Sequence, residues 1–333
     1  MASDHQLAIL TRIPQDGHNE YARIGEIQPQ PSVRGVFPGP AGADILCRMS
    51  TPLSIGPIAI GPQQDLVIIA GPCVLEDDAI QTAIAERIAA VCGELGLPWI
   101  FKGSFDKANR TSLGSPRGPG IREGLDALVR IKDAFDVPIT TDVHEPEQAG
   151  TVAEAVDMLQ IPAFLCRQTN LLAACGETGK PINIKKGQFL APADMAHAAH
   201  KAVEAGAGGI MLTERGTFFG YNRLVNDFIG LGDLADLGWP ICFDVTHSTQ
   251  LPGGGTQSDG EPVQTAGRPD RAGLLARAAT AAGVDALFIE THPDPSNALS
   301  DGATVQTLDA AEHIIRQAHA IRCGLQSMET TAS

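Results

Sequence analysis

The 333-residue chain is predicted to be an α/β protein, a single (β/α)8 (TIM) barrel behind a short N-terminal hairpin and a loose extension. Two observations predict it. Eight short apolar runs alternate with amphipathic stretches over roughly the ~250 residues such a barrel takes. Each run also ends in polar or ionisable residues, as barrel strands do at the rim where barrel enzymes carry their chemistry. A doubly wound open sheet is the competing fold. No Gly-x-Gly-x-x-Gly follows the first run, which weakens a dinucleotide-binding reading.

Residues 1–48 are rich in Pro, Gly and Gln and show no sustained period, so they are expected to be a disordered extension. Met49 opens STPLSIGPIAIGPQQDLVIIAGP and is a candidate translation start. Gly-Pro turn signals inside LSIGPIAIGP predict the hairpin. The barrel is placed at 49–325. Its strands are 66–70, 98–103, 137–143, 156–163, 181–186, 208–215, 239–247 and 284–292. Helices are expected at 79–95, near 121–134, at 193–206 and at 271–283, the last two stopping at Gly. A final helix spans 306–321, and 326–333 is read as a flexible tail.

Composition narrows the function. With 39 acidic and 24 basic side chains the formal charge is −15, which argues against non-specific nucleic-acid binding. No apolar run approaches the ~20 residues of a membrane helix, and no secretory signal opens the chain. Seven scattered cysteines without a Cys-x-x-Cys read as reduced thiols in a cytoplasmic protein.

The strand ends deliver Cys73; Lys102, Ser104 and Lys107, followed by Asn109 and Arg110; Asp142 and His144; Gln160 and, beyond it, Arg167; Lys185 and Lys186; Glu214 and Arg215; Asp244 and His247; and Glu290 and His292. Any one alone reads as an ordinary surface or structural group. Together Lys102, Lys107, Arg110, Lys185 and Arg215 would form a cationic bowl suited to phosphate. Closure of the barrel would set strand eight beside strand one. Cys73, His247 and Glu290 would then be neighbours, with Asp301 folding over them: a thiolate, an imidazole and two carboxylates, a set suited to a divalent metal.

The segments AGPCVLE (70–76), FKGSFDKANRTS (101–112), TDVHEPEQ (141–148), LQIPAFLCRQTNLL (159–172), INIKKGQFLAP (182–192), LTERGTFFGYNRLVND (212–227), FDVTHSTQLPGG (243–254) and FIETHPDPSNALSDG (288–302) resemble the 3-deoxy-D-manno-octulosonate 8-phosphate synthases. The resemblance implies condensation of phosphoenolpyruvate with D-arabinose 5-phosphate, a step of lipopolysaccharide biosynthesis. It implies that Lys102, Lys107, Lys185 and Arg215 hold phosphoenolpyruvate with Ser104 and Gln160 nearby. Asn109, Arg110 and Thr111 would meet the pentose phosphate; the family usually has Ser where Thr111 stands. Asp142 would position water or sugar hydroxyls. Phe164 and Arg167 would reach a neighbouring site in a homotetramer. Cys73 resembles the metal-dependent class, implying Mn, Fe, Zn or Co on Cys73, His247, Glu290 and Asp301.

The segment after His247, QLPGGGTQSDGEPVQTAGRPD, is longer and more polar than the family pattern and is expected to act as a lid. Three rival readings remain. One is a related synthase using erythrose 4-phosphate, whose Lys-Pro-Arg-Thr-Ser contrasts with residues 107–111 here. The second is a Schiff-base aldolase using Lys185. The third is a non-catalytic sugar-phosphate sensor.

Overall fold

A computed structural model describes residues 52–108, 114, 116–254 and 266–332. The expectations for 1–48, for a start at Met49, for Asn109, Arg110 and Thr111, and for the middle of the 250–270 loop lie outside the described residues.

A hairpin, β1 (Leu53–Ile55) and β2 (Ile58–Ile60), precedes the barrel. The barrel then runs β3 (Val67–Gly71), α1 (Asp78–Leu95), β4 (Trp99–Lys102), α2 (Ile121–Phe135), β5 (Ile139–Asp142), α3 (Ala149–Ala155), β6 (Met158–Ile161), α4 (Thr169–Glu177), β7 (Pro181–Lys185), α5 (Met195–Glu204) and β8 (Gly209–Glu214). A rim hairpin of β9 (Thr217–Gly220) and β10 (Arg223–Val225) follows. After it come α6 (Phe228–Ala235), β11 (Ile241–Asp244), a small ribbon of β12 (Gln250–Leu251) and β13 (Ala266–Gly267), α7 (Ala272–Ala281), β14 (Ala286–His292), β15 (Gln306–Thr307) and α8 (Leu308–Ala332).

Neighbouring barrel strands are parallel, in the order β3, β4, β5, β6, β7, β8, β11, β14. β14 returns to pair with β3, Glu290 opposite Gly71, and that pairing closes the ring. Alternation along each strand makes two cores. Outward residues such as Ile68, Ala70, Leu159, Ile182 and Ile289 pack against the helices. Inward ones (Val67, Ile69, Ile100, Met158, Met211, Cys242, Ala286 and Phe288) pack with Leu53, Ile55, Ile58 and Ile60 of the hairpin, which plugs the barrel floor. Gly209 makes room for the plug, because a Cβ there would lie 2.4 Å from a Leu53 methyl. One pleat higher, the inward positions turn polar: Lys102, Asp142, Gln160, Lys185, Asp244 and Glu290, all buried.

Helix limits follow local chemistry. Asp77 caps α1 by accepting from the Ile80 N–H at 2.9 Å, and Gly96, left-handed at φ 67°, stops it. α2 buries Leu125, Leu128 and Ile131 at helical spacing. α8 departs from expectation. It runs to Ala332, not 321, so the segment read as a loose tail is helical. No Pro interrupts it, and the buried Arg322 fastens it by donating to the Val284 carbonyl.

Candidate active site

Two short pairings beyond the barrel set the rim loops. Val74 bridges Ser104 and the Leu75 N–H donates to the Ser104 carbonyl at 2.9 Å, which fixes the loop holding Cys73. β15 pairs with β14, Thr291 opposite Gln306, and folds the 293–305 loop back over the mouth. That loop carries Asp301 in a left-handed conformation, φ 53°, its carbonyl accepting the N–H groups of Thr304 and Val305.

Cys73, Glu290 and Asp301 converge there, with one ligand atom from each within 4.8 Å of the others. Cys73 Sγ donates to Asp301 Oδ2 at 3.0 Å and lies 3.1 Å from Ser300 Oγ. His247 stands beside this trio, its Nε2 3.6 Å from Glu290 Oε2. Lys102 is fully buried and points its ammonium at Glu290 Oε1 (2.6 Å), the Cys73 carbonyl (2.8 Å) and the Pro72 carbonyl (3.2 Å). Burial, reinforced by Asp301 and Glu290, pushes the Cys73 thiol well above its usual range. Burial also acts against ionised Glu290, but Lys102 and His247 outweigh it and hold that carboxyl well below the ordinary range.

This trio suits a metal. Glu290 Oε2 is buried with no hydrogen-bond partner among the described residues, His247 Nε2 standing 3.6 Å from it. A cation there would supply that partner and displace the thiol proton shared with Asp301. The set of one sulfur, two carboxylates and a nearby imidazole fits a borderline divalent ion.

Across the mouth lies the second half of the site. Asp142 accepts from Ser104 Oγ and from Gln160 Nε2 (2.5 Å), while Lys107 Nζ donates to Ser104 Oγ at 3.0 Å. Asn183 donates to Gln160 Oε1 at 3.0 Å and accepts from Thr213 Oγ1 at 2.5 Å, so a belt of hydrogen bonds runs from Ser104, just beyond β4, across the four strands β5 to β8. Burial alone would raise the Asp142 carboxyl; Lys107 and Lys102 overcome this and keep it well below its ordinary range. Lys185 Nζ donates to Asp244 Oδ2 at 2.7 Å and sits 3.6 Å above the Phe288 ring centroid. Arg215 donates through Nη2 to Gln250 at 2.6 Å, and its Nη1 is buried without a partner among the described residues. A buried guanidinium with an unsatisfied N–H is a ready anion site.

The sequence matches the DAHP synthetase I family over residues 46–323. The chain belongs to this family. Within curated proteins it is similar to the "2-dehydro-3-deoxyphosphooctonate aldolase" of Granulibacter bethesdensis, 50% identical over 266 residues that cover 80% of this chain and 92% of that one. The protein of that name from Desulfatibacillum aliphaticivorans is 49% identical over 276 residues, 82% of this chain and 98% of the relative. That of Cyanothece sp. is 50% identical over 268 residues, 80% and 96%.

For this DAHP synthetase I member the structure brings Cys73, Lys102, Ser104, Lys107, Asp142, Gln160, Lys185, Arg215, His247, Glu290 and Asp301 to one mouth. Phe164 and Arg167 follow β6 on the same rim and point outward, Phe164 half exposed. The cationic bowl needs amending, because its lysines come paired with acids: Lys102 with Glu290, Lys185 with Asp244, and Lys107 3.9 Å from Asp142. An uncompensated cluster of buried ammonium groups would be far costlier than these pairs. Arg215 differs from these three lysines: among the described residues its side chain has no carboxylate within 4 Å and donates to the Gln250 side-chain amide instead.

Sequence reasoning assigned no role to Asp244, Asn183 or Gln250. Asp244 was visible as a strand end, two residues after Cys242 and so on the same inward face. Gln250 carries no such signal, since it reaches Arg215 only after a helical turn at 247–249.

Proposed function

We propose that the protein condenses phosphoenolpyruvate with D-arabinose 5-phosphate and water, giving 3-deoxy-D-manno-octulosonate 8-phosphate and inorganic phosphate for lipopolysaccharide in the cytoplasm. The carrying observation is the buried, unpaired Arg215 Nη1 facing the same mouth as the thiol–carboxylate trio, in a chain half identical to proteins named for the octonate product. Carbon arithmetic agrees. A three-carbon enol joined to a pentose gives eight carbons, whereas erythrose 4-phosphate would give seven.

Arg215 and Lys185 hold the anionic groups of phosphoenolpyruvate, with Lys102, Lys107, Ser104 and Gln160 around them. Asn109, Arg110 and Thr111 receive the pentose phosphate. The C3 carbon of the enol attacks the sugar aldehyde, whose oxygen takes up a proton. Water then adds at C2, which has gained oxocarbenium character, and the resulting adduct loses phosphate by carbon–oxygen cleavage. Asp142, kept ionised and aimed by Ser104 and Gln160, orients water or sugar hydroxyls. The guanidinium and ammonium groups stabilise charge on the departing phosphate.

Cys73, His247, Glu290 and Asp301 would hold a divalent ion, Mn, Fe, Zn or Co, which polarises an aldehyde or acidifies water. Phe164 and Arg167, displayed at the rim, suit a contact with a neighbouring site in a homotetramer. Among the described residues no helix is long and apolar enough to cross a membrane.

Phosphate release with each sugar tests the reading. Release should require both substrates and proceed with D-arabinose 5-phosphate. Faster turnover with erythrose 4-phosphate would overturn it in favour of the seven-carbon synthase.

A further inference from the structure

Asp244 ends β11 and is fully buried, so its charge depends on its partners. Its Oδ2 receives Lys185 Nζ at 2.7 Å and faces His247 Nδ1 at 2.8 Å; its Oδ1 takes the His247 backbone N–H at 2.9 Å. One partner belongs to the anion side of the mouth and the other to the metal side, and Asp244 hydrogen-bonds none of Cys73, Glu290 or Asp301 among the described contacts. A neutral imidazole has one donor nitrogen and one acceptor nitrogen. A carboxylate at Nδ1 can only accept, so a proton stands on Nδ1; Nε2 faces Glu290 Oε2 at 3.6 Å and is the nitrogen whose lone pair a cation there would take. The same Oδ2 serves both donors, so a stronger bond to one weakens its hold on the other.

We propose that Asp244 is a positioning residue that fixes the tautomer and ring direction of His247 for a divalent cation. Through the shared oxygen it also couples cation binding to the seating of Lys185 against the anionic substrate. The inference rests on the metal reading given above and deepens it. Coupling of this kind is reciprocal: whatever factor the cation adds to substrate affinity, the substrate adds to cation affinity.

The test uses the full chain stripped of metal and titrated with Co(II), read by the thiolate-to-cobalt charge-transfer absorption of Cys73. Asp244→Asn should retain the band and the native circular dichroism while binding Co(II) roughly 10- to 100-fold more weakly, the usual effect of removing a carboxylate behind a ligating histidine. Thr213→Val, which removes a buried hydroxyl bonded to Asn183 in the same interior, should bind Co(II) like the wild type. Unchanged affinity in Asp244→Asn, or an equal loss in Thr213→Val, overturns the proposal. A wild-type protein that shows no cobalt–thiolate band overturns the metal reading itself, so the two failures are distinct.

Saturating phosphoenolpyruvate should shift the wild-type Co(II) affinity and leave that of Asp244→Asn unmoved; equal shifts overturn the coupling. If Asp244→Asn does not fold, the tautomer is read in the wild type by proton–nitrogen correlation on 15N-histidine protein, His247 being assigned by its loss in His247→Gln. The Nδ1–H form supports the proposal, and the Nε2–H form overturns it.

Discussion

Arg215 hydrogen-bonds an amide where its lysine neighbours engage carboxylates, and that choice leaves charge to offer. Burial lowers its guanidinium from the ordinary value, though Asp244 and Glu214 act against this; the group stays charged because its range lies far above neutrality. Charge-assisted hydrogen bonds contribute ~1.5–3 kcal/mol each. Arg215→Ala should therefore lower kcat/KM for phosphoenolpyruvate by roughly 10- to 100-fold, mostly through KM. Arg215→Lys should recover only part of the loss, since a point charge does not replace the planar fork. Steady-state kinetics with either substrate varied would show this, and an unchanged KM would remove Arg215 from the anion site. Cys73 illustrates the opposite economy: a thiol kept neutral by burial and two carboxylates, poised to ionise only when a cation arrives.

The elements explain how such residues meet. Gly71 ends β3, where a Cβ would lie 1.8 Å from the Lys102 carbonyl oxygen of β4. No side-chain adjustment relieves a clash with backbone, so Gly71→Ala must part the two strands just where Pro72 and Cys73 accept from Lys102. Its expected outcome is a loss of stability of about 2 kcal/mol or more in denaturant unfolding, together with weakened cobalt binding at Cys73. Full stability and full metal binding would contradict the close approach.

Much of this level was legible beforehand. Apolar runs such as LVIIA and ICFD marked the strands, and polar residues at their ends marked the mouth, because one period-two rule governs both. The lysine–carboxylate pairing was not legible. Lys102 and Glu290 are 188 positions apart, and only the closing β14–β3 register shows that the cation of one strand lies against the acid of another. The extent of α8 was not legible locally: the helix continues past 321 to Ala332, anchored where Arg322 donates to the Val284 carbonyl 38 positions earlier in the chain.

In the whole molecule, ring closure builds the site, because β14 pairs with β3 and sets Glu290 opposite Gly71, next to Cys73. The hairpin plugs the floor, the outward faces bury against helices, and the remaining polarity is concentrated at one mouth of a chain whose net charge is −15. A negative protein can attract a negative substrate there because local geometry, not net charge, sets the field inside a buried pocket. Seam and anion site are then two halves of one device. The most direct measurement is phosphate release from phosphoenolpyruvate and D-arabinose 5-phosphate before metal stripping, after it, and after restoring Mn(II) or Co(II). Activity is expected in the untreated protein, with loss on stripping and return with the ion. Full activity in protein shown by elemental analysis to be free of metal would contradict that expectation.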